Sequence, residues 1–102
     1  MLNRKRREFH KRVAQAMETI FPDQLEEHAH RLGQHFAMAG DHERAVRYFT
    51  MAGEVAEALH ATADSTAHFG HALDAARQLG DHAAIARLEA KAPPKGELAA
   101  GS

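Results

Sequence analysis

The sequence predicts an all-α fold, a right-handed stack of antiparallel helical hairpins made of about five helices. Three observations predict it. Apolar residues recur at helical spacing along most of the chain. Hydrophobic residues make up 44% of the 102, with alanine prominent and aromatics only 6%, which favours closely packed helices over a sheet. The breaks between helical stretches are too short to join anything but antiparallel neighbours.

The first helix carries Phe9, Val13, Met17 and Ile20 as one stripe. Pro22 closes it, because the residue before a proline avoids the α region. Asp23 and Glu26 then read as a capping box opening a second helix, whose face carries Leu25, Ala29, Leu32 and Phe36. Gly40 stops that helix and Asp41 caps a third, with Ala45, Phe49, Ala52, Ala56 and Leu59 as its stripe. After a weak break at His60 to Ala63, Thr62 or Asp64 caps a fourth helix. Its stripe is Thr66, Phe69, Leu73, Ala76 and Leu79. Gly80 and Asp81 repeat the stop and cap before a short helix with Ile85 and Leu88, ended by Pro93 and Pro94.

These boundaries divide the chain into a basic amphipathic helix (1–22), a first hairpin (23–61), a divergent second hairpin (62–91) and a disordered tail (92–102). Gly101-Ser102 reads as a cloning remnant, and Met1 as an addition to a segment cut from a longer chain. Gly40-Asp41-His42 recurs as Gly80-Asp81-His82, 40 residues later. Each copy follows a helix with a glycine after a large apolar residue: Leu32-Gly33 in one, Phe69-Gly70 in the other. A period in this range points to a helical solenoid.

Residues 26–57 resemble a tetratricopeptide repeat (TPR) unit. The first helix supplies Leu32, Gly33 and Phe36, the turn supplies Gly40, and the second helix supplies Ala45, Phe49 and Ala52. Small residues let two helix backbones approach while the rings fill the space beside them. Ala29 stands where the family has tryptophan, and Glu57 where it has proline. In the second unit Phe69, Gly70 and Leu73 match, whereas Ile85 replaces a small residue.

A narrower resemblance covers residues 6–90. Arg7 to Ala14, Phe21-Pro22-Asp23, Leu25 to Ala29, His35-Phe36 and Ala39-Gly40-Asp41 follow an order similar to the segment after the ATPase domain of multidomain bacterial regulators. These include signal-transduction ATPases with numerous domains, LuxR-type activators and nucleotide-cyclase fusions. The resemblance implies a piece of such a regulator and carries over no catalytic residue.

The net charge is −1 with neutral histidines, but it is unevenly spread. Arg4, Lys5, Arg6, Arg7, Lys11 and Arg12 against Glu8 give residues 1–12 a net +5, which leaves −6 for the rest. That edge could contact nucleic acid, although the acidic body opposes a broad footprint, and a solvated helix end accounts for it better. The absence of cysteine excludes disulfides and thiolate chemistry. No apolar run approaches a membrane span or a secretory signal, so no membrane association and a cytoplasmic protein are expected.

The nine histidines invite a metal reading. His28 and His35 lie two turns apart, and His68 and His71 stand at i, i+3, so a pair with Asp64 or Asp74 could bind zinc. With no HExxH-type motif, polar histidines on an exposed face are the better reading, and no metal or cofactor is expected. No Gly-rich phosphate loop or triad pattern is present, and the carboxylates at helix starts offset helix dipoles, so no catalytic residue is expected.

The expected function is therefore non-catalytic: a protein-interaction or scaffold module of TPR type. Its partner is a protein, a peptide or a neighbouring domain of a parent chain. The expected surface comprises Glu27, His28, Arg31, Gln34, His35 and Met38 in the first hairpin, and His68, His71, Asp74 and Ala75 in the second. Tyr48 lies off the packing stripe and is either a partner-facing aromatic or packed between hairpins. The competing class is a self-associating, homo-oligomeric module, natural or engineered, that pairs through Phe9, Val13 and Met17 or through the Ile85–Leu88 edge.

Overall fold

The computed structural model describes residues 2–92. The expected proline stop and all of the expected 92–102 tail except Ala92 lie outside the described residues, as does Met1; Ala92 is buried and donates its backbone N–H to the Leu88 carbonyl at 2.9 Å. The described residues form five α-helices and no strand: α1 (Leu2–Ile20), α2 (Ala29–Met38), α3 (His42–Ala58), α4 (Thr62–Leu79) and α5 (His82–Lys91). None of them is long and apolar enough to cross a membrane. Each helix packs chiefly on its sequence neighbours, and the α3–α4 pair is the most extensive. Side chains also link alternate helices. Tyr48 on α3 donates a hydrogen bond to Glu18 on α1. His30 on α2 faces His68 on α4, and Lys91 on α5 pairs with Glu57 on α3 at 3.0 Å.

The core is built from a few rings and many alanines. Phe36, Phe69, Leu32 and Leu88 are its largest fully buried side chains, and Ala29, Ala45, Ala72 and Ala76 are sealed beside them. Small side chains let the helices approach, and the rings then fill the remaining space. Gly33 and Gly53 carry this furthest. A methyl group on Gly33 would meet the Phe49 ring at 2.8 Å, and one on Gly53 would meet the Phe69 ring at 2.7 Å. Both pairs are therefore a ring on one helix lying over a glycine on the preceding one. Gly70, the glycine expected in this role, has nothing within 4 Å of the corresponding position.

The helix junctions repeat with the same step. Gly40, His60 and Gly80 all have left-handed φ, at 84°, 60° and 69°. After each, the backbone N–H of Asp41, Ala61 or Asp81 reaches back to the carbonyl of Phe36, Ala56 or Ala76 at 2.9, 2.9 and 3.1 Å. Twenty residues separate successive members of each set, as they separate Gly33 from Gly53 and Phe49 from Phe69. The local unit is thus one helix and its turn, and the 40-residue recurrence spans two of them. Asp41 and Asp81 cap α3 and α5, accepting from the backbone N–H of Arg44 and Ala84. The middle junction lacks this bond, because Ala61 stands at the cap and neither Thr62 nor Asp64 performs it. Left-handed His60 sets the boundary one residue ahead of Thr62, which falls in the first turn instead.

Several sequence expectations are corrected. The Asp23–Glu26 capping box does not form. Gln24 bonds back to the Phe21 carbonyl at 3.0 Å and His28 to that of Gln24 at 3.2 Å, so the chain turns through this stretch and α2 begins at Ala29. Leu25 packs against the core from that turn. The expected stripe of α1 is only partly its buried face: Val13 and Met17 are partly buried beside Ala14, which is sealed, while Phe9 and Ile20 are 61% and 65% exposed. Alanine permits the close approach to α2 that a ring at this position would block. Leu59 and Leu79 sit beyond the last buried turn of their helices and are exposed. Tyr48 is core, not partner-facing. It is 3% exposed and stacked on Phe36 with centroids 5.6 Å apart, because α3 is covered on more than one side.

Candidate functional site

An open concavity runs between α2 and α4, with α3 as its floor. It encloses about 480 Å³. α2 contributes Gln34, His35, Ala37 and Met38, and α4 contributes His71, Asp74, Ala75 and Gln78. Phe49 lies at the bottom and His42 at one end. Spacing explains the membership. Gln34 and Met38 are one turn apart on α2, and His71, Asp74, Ala75 and Gln78 recur at three and four residues on α4. The lining is mostly apolar, with amide and imidazole groups along its rims. Asp74 is its one carboxylate; it is well exposed and only 3.9 Å from Arg77.

The groove therefore gathers Gln34, His35, Met38, His71, Asp74 and Ala75 from the expected surface. Tyr48 is excluded by burial, and Arg31 is exposed outside it. His28 packs on the Phe21 ring at 4.8 Å. Glu27 and His68 line a smaller hollow with Glu26, His30, Leu59 and Asp64. Sequence reasoning passed over Gln78 and His42 as groove residues. Gln78 was within reach, being one turn beyond Asp74 on the same face. His42 carries no such signal, since its place depends on how the Gly40 turn aims α3.

Imidazoles mark the borders of α2. The Nδ1 atoms of His10 and His35 lie 2.9 Å apart across the α1–α2 contact. His30 lies 4.7 Å from His68 and 6.1 Å from His71, centroid to centroid, across the α2–α4 contact. The Nδ1 atoms of His30, His42 and His68 are buried without a hydrogen-bond partner. Burial lowers the pKa of His35, helped by His10 and Arg31. It lowers that of His30 likewise, helped by His68 and His71. Burial, the hydrogen bond to Glu18 and its charge push Tyr48 up to about 12, so its hydroxyl stays a donor at neutral pH. Among the described residues no three or more histidine and carboxylate side chains are placed to hold a metal ion.

The arrangement offers contact area and hydrogen bonds along an open groove. Its apolar floor suits a buried side chain, and its polar rims suit a backbone. No protein-family model matches the chain, and neither a curated protein nor a solved structure matches it.

Proposed function

We propose that the chain is a non-catalytic protein-interaction module whose docking surface is the groove between α2 and α4. In this reading the contacts between alternate helices are those of a TPR-type stack, with α2 and α4 on the inner layer and α1, α3 and α5 on the outer. The observation that carries it is the groove itself. Phe49 and the Met38 side chain, 58% exposed, give an apolar seat, flanked by Gln34, Gln78 and three imidazoles. The partner is a peptide or a segment of a neighbouring domain that places an apolar side chain over Phe49.

Selection from a displayed random-peptide library tests it, followed by titration of a synthetic winner. Met38→Glu puts a charge on the seat without touching the core, so affinity should fall about tenfold or more. A library that yields no binder, or a binder that tolerates both Met38→Glu and Gln78→Glu, contradicts the reading.

A second reading is self-association. Phe9, Ile20 and Leu59 are 61%, 65% and 73% exposed, which leaves apolar side chains on α1 and at the turn between α3 and α4. Of the residues expected from sequence Phe9 is exposed, whereas Val13, Met17 and Ile85 are partly buried and Leu88 is sealed in the core. Mass measured by light scattering across a wide concentration range separates the two readings. A monomer throughout removes the second.

A further inference from the structure

α1 has little apolar hold on the rest of the molecule. Ala14 is its one fully buried side chain among those described, with Met17 packed beside it. Polar contacts supply the rest: the Tyr48–Glu18 hydrogen bond and the His10–His35 contact. The second of these depends on protonation. With the two Nδ1 atoms 2.9 Å apart, one ring must donate and the other accept, so at least one imidazole is neutral. When both rings are protonated, both atoms carry hydrogen and both rings carry charge, and the contact becomes repulsive.

The surrounding charges do little to offset that repulsion. On α1, Arg6 and Arg7 lie one turn before His10, Lys11 follows it, and Glu8 points around the helix. On α2, Arg31 lies one turn before His35 and opposes a proton there. Around the groove that His35 lines, α3 contributes His42, and α4 contributes His71 and the exposed Asp74. On the other side of α2, burial first and then His68 and His71 likewise lower His30.

We propose that the His10–His35 pair is an acid-sensitive latch: it holds α1 against α2 at neutral pH and releases α1 as pH falls through the histidine range. The sign follows from linkage. His35 is lowered from its ordinary 6.5 in the closed form, by burial first and then by His10 and Arg31. The closed form then binds fewer protons than the released one. Closure is fully favoured above 6.5 and weakens as pH drops below it toward the lowered value. Release of α1 requires no ligand in the groove, so the latch stands or falls independently of what the groove binds.

The chain has no cysteine, so two introduced thiols can be labelled alone. Spin labels on Gln15→Cys and Glu54→Cys, both exposed sites, report the distance from α1 to α3. Distances are compared about one unit above and one unit below the ordinary histidine value, with helicity followed by circular dichroism. A longer-distance population should appear at the lower pH while most of the helicity remains. His35→Gln supplies an amide that can pair with His10 in either protonation state, so in that background the distance should not change with pH. Three results overturn the latch: an unchanged distance in the parent, equal lengthening in His35→Gln, or lengthening only as all helicity is lost.

Discussion

The α3–α4 junction and the α1–α2 junction are held in contrasting ways. Between α3 and α4, the Phe69 ring lies on Gly53, with Ala72 and Ala76 sealed nearby. That contact is apolar, close and indifferent to pH. Between α1 and the body, among the described residues, buried Ala14 and the partly buried Met17 are supplemented by an imidazole pair and a tyrosine–carboxylate bond. Net hydrogen-bond contributions are modest, so such a contact adds little stability and varies with protonation. One chain thus combines a packed body with an element held conditionally, and the groove lies on the packed part.

The largest expected effect comes from removing a ring of the packed junction. Phe69→Ala should destabilise the fold by about 3–5 kcal/mol in urea unfolding, because the site cannot collapse onto a glycine. A loss well under 1 kcal/mol would mean that α3 and α4 are not packed as described. The glycines sharpen the point. Gly53→Ala forces a methyl into the Phe69 ring, an overpacking cost of about 1–3 kcal/mol, whereas Gly70→Ala meets nothing within 4 Å. Both gain the same helix propensity, so the difference between the two variants isolates the clash. Equal stabilities would refute the ring-on-glycine contact.

A smaller effect lies at the middle turn. Ala61→Asp restores the cap present at Asp41 and Asp81 and should stabilise by about 1 kcal/mol. No gain would mean that this junction is not equivalent to its neighbours. An effect of similar size belongs to α1. Tyr48→Phe keeps the stacked ring but loses the bond to Glu18, at a cost of about 0.5–1.5 kcal/mol. Faster amide exchange should then be confined to α1. Faster exchange in α4 as well would erase the contrast between the junctions.

Much of the fold was legible in the sequence, for identifiable reasons. Gly40-Asp41 and Gly80-Asp81 each pair a left-handed stop with a side-chain cap, a local device that needs no tertiary context. Phe36, Phe49 and Phe69 declared the core by their spacing. The middle turn was harder to read because His60 adopts the left-handed conformation without being glycine, and Ala61 offers no cap. Gly53 was overlooked because no large apolar residue precedes it in sequence; its partner ring lies on the next helix. Tyr48 and the face of α1 depend on which sides neighbouring helices cover, and helical period alone does not say. In the groove, residues one turn apart on α2 and α4 were foreseen, whereas the imidazole contacts across helices were not. A contact such as His10 with His35 is fixed only once the helices are placed.

Residue-resolved amide hydrogen exchange at neutral pH tests the central contrast most directly. The central turns of α3 and α4 should open only with global unfolding, while α1 should open at a distinctly lower free energy. Exchange of α1 at the same free energy as α3 and α4 would contradict the account, since the chain would then be one uniformly held unit.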